Sequence, residues 1–219
     1  MTTTARPAPA PATVWCPDRC PPAPFVLAGE LCLPTRDPPR GAQHVLGGVH
    51  VVAPEVTTGH RATAVALLLP RSHGVVVRAT AAWVWSGEPT LRPSRIDLAL
   101  PPSAPGLPGH RPGPDREALP VRRTRWVDGS RWTRLAGVAV SDPTTTTAEC
   151  ARLLDLPMAR RCVNAMVGSG LVDPRRVVRS LRSHDRARPS PPGTTAALAL
   201  LDGPGVTGRR TTGGVRCGP

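Results

Sequence analysis

A chain of 219 residues with 28 basic and 15 acidic side chains, a formal charge of +13 and a pI near 11.4, invites association with polyanions. All 28 basic residues are arginine, lysine and tyrosine are absent and Ile96 is the only isoleucine, a composition that a GC-rich coding bias also produces. The missing lysine argues against phosphate-loop NTPases, Schiff-base enzymes, protein kinases and lysine-dependent nucleases; no apolar run approaches the roughly 20 residues of a membrane span.

The 29 prolines gather in 1–24, in 101–120 and around 189–192, where no continuous hydrogen-bonded ladder is possible. Residues 1–23 therefore read as an unstructured tail. With no secretory signal in that tail, the cytoplasm is the expected compartment. Phe25 to Leu33 is a short apolar stretch, and Val45 to Val51 reads as a hairpin about Gly47-Gly48. His60 to Leu69 predicts a helix closed by Pro70, and Val75-Val76-Val77 a short strand leading into a helix over Ala79–Ser86 that carries Trp83 and Trp85 as core residues. The alternation of Ile96, Leu98 and Leu100 with Asp97 and Ala99 predicts a half-buried strand stopped by Pro101.

Beyond the proline-rich loop, Leu119 to Val127 and Trp132 to Val140 read as strands, the second folding back at Ala136-Gly137. Asp142-Pro143 and Asp173-Pro174 are cap-plus-proline helix starts. They predict helices to about Leu154 and over Val177, Val178 and Leu181, with another at about Met158–Val167 between them and a short one at Thr194–Leu201. The Gly/Thr/Arg-rich stretch 203–219 has nothing to bury and is expected to be unstructured. The whole reads as an α+β chain.

Reactive constellations are absent from the pattern. The carboxylates are scattered singly, and no G-x-S-x-G or H-E-x-x-H run occurs. Cys16, Cys20, Cys32 and His44 could in principle supply four zinc ligands, but prolines flank them and no second tight pair follows. Neither metal nor cofactor is expected, and the six cysteines read as free thiols. Basic residues group at Arg122, Arg123 and Arg125, at Arg175, Arg176 and Arg179, and at Arg182, Arg186 and Arg188. Only around Trp126 and Trp132 do aromatic and basic residues interleave, with Arg122, Arg125 and Arg134, which makes that stretch the candidate binding face.

Several segments, in order over about Pro24 to Asp202, resemble the AbiEi family of toxin-antitoxin antitoxins. Leu33-Pro34-Thr35-Arg36, Arg40-Gly41 and Val45 to Val51 look like its N-terminal winged-helix segment ending in a hairpin. His60 to Pro70 and then Val75 to Trp83 look like its helix followed by the His-x-Ser-Ala-Ala motif, Ile96–Pro101 like its Val-x-Val-Thr-Val-Pro strand, and Arg134 to Ser141 like its Arg-x-x-Gly-x-Pro-Val-Thr hairpin. Asp142 to Arg152 and Gly170 to Asp173 follow its helical half. The resemblance implies a winged-helix-like lobe at 24–55 and an antitoxin α+β domain at 56–202. It further implies that the first lobe binds operator DNA and the second neutralises a nucleotidyltransferase-like toxin, by binding alone. Expected DNA contacts are Arg36, Arg40, Arg122, Arg123, Arg125 and Arg134; the alternative is a DNA-binding regulator without a toxin partner. The chain departs from the family at Thr145 and Glu149, where an Arg and an Asp are usual. It departs again at Pro38-Pro39, inside the segment matching the recognition helix, and it stops before the nuclease-like domain of some AbiEi proteins.

Overall fold

The computed structural model describes residues 26–27, 30–34, 38, 40–69, 74–100, 119–125, 131–185 and 193–202. The expected tails, Arg36, Trp126, Cys16 and Cys20 lie outside them. The architecture is mixed α+β, as the order of patterns predicts.

The described residues begin with an antiparallel sheet of β1 (Val26–Leu27), β2 (Glu30–Pro34), β3 (Gln43–Leu46) and β4 (Val49–Val52), in the order β1-β2-β4-β3. The expected hairpin is β3–β4, turning at Gly47, whose φ of 54° glycine tolerates. Val45, Leu46, Val49 and Val51 point into the core. Where the resemblance implied a winged helix, the described residues from Val26 to Val52 form strands and no helix. Valine-rich segments favour the pleated conformation, and Pro34 and Pro38 remove helical donors.

Helix α1 (Thr58–Leu68) starts at a capping box in which the Thr57 hydroxyl accepts from the His60 amide and His60 Nδ1 accepts from the Thr57 amide. It lies between the first sheet and the second, so Ala62, Ala64, Val65 and Leu68 are all buried.

The second sheet holds β5 (Val75–Val76), β6 (Ile96–Leu100), β7 (Val121–Arg125), β8 (Trp132–Leu135) and β9 (Val138–Ser141), in the order β7-β6-β5-β9-β8. β6 runs parallel to β7 and antiparallel to β5, β5 runs parallel to β9, and β8–β9 is the expected hairpin. One expectation is corrected: β6 is buried on both faces, Asp97 (3 % exposed) and Ala99 as well as Ile96 and Leu98. An inner strand has neighbours on each side, and the charge of Asp97 is met by Arg122.

Helix α2 (Arg78–Ser86) follows β5 directly, and a 3-10 turn at Pro89–Leu91 leads towards β6. The remaining helices are α3 (Pro143–Leu153), α4 (Leu156–Gly168), α5 (Pro174–Asp185) and α6 (Thr194–Asp202). α3 is central, packing against α2, α4, α5 and α6. Asp155 and Pro157 start α4 two residues before the expected Met158. A single hydrophobic core joins Val45 and Val49 of the first sheet to Leu98, Val140, Met166, Val177 and Leu201, so it runs across the 55/56 boundary expected from the sequence.

Candidate functional site

The expected DNA-contacting arginines do not form one face. Arg122, Arg123 and Arg125 lie on β7, one edge of the second sheet, and Arg134 lies on β8, the opposite edge. With β6, β5 and β9 between them, strand spacing separates the edges by roughly 19 Å. Arg122 is already engaged, its Nε donating to Asp97 Oδ1 at 2.6 Å. Arg123 and Arg134 are exposed, as is Arg40 in the turn before β3. Trp132 packs against Val75, Val77, Ala99 and Ala139 and serves as a cover for a small apolar face of the sheet.

The sheet gathers polar groups at the end where β5 and β9 finish. There β9 passes through Asp142 into α3, and Asp142 Oδ1 accepts from the amides of Thr144 (2.9 Å) and Thr145 (3.1 Å) while Oδ2 accepts from the Thr145 hydroxyl (2.7 Å). Thr146 donates to the Ser141 carbonyl at 2.9 Å and Thr147 to that of Pro143 at 2.7 Å. Three hydroxyls of the threonine run, those of Thr145, Thr146 and Thr147, are thereby satisfied locally, Thr145 as part of the cap. Trp85 Nε1 donates to the Ser141 carbonyl at 2.8 Å, tying α2 to the same corner.

Beside it, β5 passes into α2 through Val77 and Arg78, with Arg78 at φ 55°, a left-handed conformation unusual for a residue with a Cβ. Val77 N–H donates to the Asp97 carbonyl at 3.0 Å, and the Thr80 hydroxyl accepts from the Asp97 amide at 3.0 Å. Val77 and Thr80, on either side of Arg78, are thus both bonded to Asp97. Burial, and after it the positive charge of Arg122, lower the pKa of Arg78, while Asp97, Glu149 and Cys150 act in the opposite direction. Below this corner, burial and the adjoining Cys162 thiol push the Cys150 thiol up. Sequence reading missed Arg78, and its one trace was a strand abutting a helix with no capping residue between them.

The densest basic surface is on α5. Arg175, Arg176, Arg179 and Arg182 are exposed, and Val177 and Leu181 are buried on the other side. At 3.6 residues per turn Arg175, Arg179 and Arg182 form one row about 10 Å long, flanked by Arg176. Asp173 Oδ1 is occupied in accepting from the Arg175 amide at 2.9 Å. Arg160 and Arg161 on α4 are also exposed.

No family model, no curated protein and no solved structure matches this chain. Among the described residues no three or more His, Cys, Asp or Glu side chains gather as metal ligands, and no helix is long and apolar enough to cross a membrane. His44, a candidate zinc ligand by sequence, has both ring nitrogens in use. Nδ1 accepts from Arg92 Nη1 at 3.2 Å, since arginine only donates, and Nε2–H donates to the Gly47 carbonyl.

Proposed function

We propose that the protein is a non-enzymatic regulatory factor that holds the phosphate backbone of nucleic acid, with α5 as its contact helix. The observation that carries this reading is the exposed row of Arg175, Arg179 and Arg182, with Arg176 beside it, on a helix locked to the core by Val177 and Leu181. Guanidinium groups bind phosphate oxygens through paired N–H donors, and a row fixed by packing loses little further freedom on binding. The buried apolar side of α5 has nothing left to insert into a lipid surface, which sets it apart from basic amphipathic membrane helices. Contacts of this kind position a duplex without reading its bases.

Fluorescence anisotropy with a labelled DNA duplex tests the reading. Affinity should fall steeply between about 50 and 200 mM salt, and replacing Arg175, Arg176, Arg179 and Arg182 together by Gln should flatten the log–log slope by about 0.9 for each arginine–phosphate pair broken. Replacing Arg40, Arg123, Arg131 and Arg134 by Gln removes the same charge and should cost much less. Equal losses of affinity in the two variants would reduce the binding to overall charge and sink the assignment to α5.

The exposed Leu153, Leu156 and Leu171 favour a second reading, in which the C-terminal helices dock on a protein as the AbiEi-type resemblance implies. In that reading the chain is an antitoxin for a nucleotidyltransferase-type toxin. Co-expression with the product of any adjacent nucleotidyltransferase-type reading frame is the test. Restored growth that Leu156→Asp abolishes supports docking, and unrelieved toxicity refutes it.

A further inference from the structure

We propose that Arg179 reads a guanine in the major groove of double-stranded DNA, while Arg175 and Arg182 on one side of it and Arg176 on the other hold the phosphates of the two strands. This rests on α5 as the nucleic-acid contact helix and assigns one of its four arginines to the bases.

Along the axis of α5 the arginines form a row, but around it they point in different directions. Val177 and Leu181 are seated in the core and α3 packs against the same helix, so the rotation of α5 about its axis is fixed. At 3.6 residues per turn Arg179 lies about 160° from each of those two side chains, straight out from the core. Arg175 and Arg182 lie about 40° and 60° to one side of it and Arg176 about 60° to the other. The half-buried Val178 and Ser180, about 100° to either side of Arg179, border this exposed arc.

An α-helix about 10–12 Å across fits a major groove about 12 Å wide. In that seat, side chains on the flanks of the arc meet the backbones that wall the groove, and the central one meets its floor. Guanine O6 and N7 both accept there, matching the paired donors of a guanidinium. The major groove of double-stranded RNA is too deep and narrow for side chains to read. A single strand would find no stacking platform among the described tryptophans, because Trp83 is buried, Trp85 is bonded to the Ser141 carbonyl and Trp132 lies over the sheet.

The test is fluorescence anisotropy of the full chain, across a salt series, with four probes. They are an all-G·C DNA duplex, the same duplex carrying 7-deazaguanine, which lacks N7, an all-A·T DNA duplex, and RNA of the G·C sequence. The G·C DNA should bind at least about fivefold tighter than the other three. Arg179→Ala should lose that preference and keep the parent's salt slope, whereas Arg175→Ala, Arg176→Ala and Arg182→Ala should keep the preference and each flatten the slope by about 0.9. Arg179→Gln, whose amide matches adenine N6 and N7, should turn the preference towards A·T. All are exposed helical positions that alanine suits, so melting temperatures should match the parent's. Absence of salt-dependent binding to any probe refutes α5 as the contact helix and this assignment with it. Binding through α5 with no preference for guanine, or with a preference that both Arg179 variants retain, overturns the role of Arg179 alone, and tighter binding of the RNA overturns the major-groove seat.

Discussion

Arg61 shows how one buried charge can be held without a carboxylate. It is 8 % exposed, its Nε donates to the Val84 carbonyl (2.9 Å), Nη1 to that of Val56 (2.8 Å), and Nη2 to Trp85 O (3.3 Å) and the Thr58 hydroxyl (3.1 Å). Val84 and Trp85 belong to the last turn of α2, whose carbonyls lack helical donors and form the negative end of the helix. Burial lowers the Arg61 pKa, yet an arginine stays protonated. Arg61→Met should remove these bonds and cost about 3 kcal/mol in a denaturant titration. Gly87→Ala should cost about 2 kcal/mol, because a Cβ there would meet Arg61 Nη1 at 2.7 Å and because Gly87 sits at φ 71°. The opposite sign is expected at Ala136, which occupies the first corner of the β8–β9 turn at φ 46° with Gly137 at 82°. Ala136→Asn suits that turn and should stabilise by about 0.5 kcal/mol in the same titration. Burial and Cys162 hold the Cys150 thiol up, so it keeps its proton at neutral pH and gives up reactivity as a thiolate. Site-resolved alkylation should find Cys150 and Cys162 protected until the fold opens, and faster labelling of both on adding denaturant.

At the scale of elements, the Asp142 cap is the best-furnished helix start among the described residues. Asp142→Ala strips the bonds to Thr144 and Thr145 and should cost about 1–2 kcal/mol, read as a lower unfolding midpoint. That cap was legible in the sequence because aspartate before proline has local meaning, as were the α4–α5 break at glycine and the turn at Ala136-Gly137. Strand order was not legible. The alternation in β6 reported a strand but not that it would be inner, since burial on its Asp97 face depends on a partner from β7 that lies beyond the proline-rich segment. For the same reason Arg122 and Arg134, near each other in the chain, were read as one face, although the sheet inserts β6, β5 and β9 between them. The α5 row was visible as a grouping of arginines. Its rank as a surface became clear only when Val177 and Leu181 proved to be fully seated in the core. Arg78 left almost no mark, because a left-handed conformation without glycine has no compositional signature.

On the scale of the whole molecule, the core passes without interruption from Val49 to Leu201, so the first sheet and the C-terminal helices should unfold together. Val49→Ala and Met166→Ala should each lower one shared transition, with far-ultraviolet circular dichroism and tryptophan fluorescence coinciding; separate transitions would show two independent units. The placement of β5 has a further, kinetic consequence. Its two residues pair with Ala139 and Val140 across more than sixty residues of chain, whereas the β8–β9 hairpin closes over a two-residue turn. Contacts of such long separation form late and slow the search for the native state. The pairing of β5 with β9 is then a late event of folding, and the corner between β5 and α2 is completed with it.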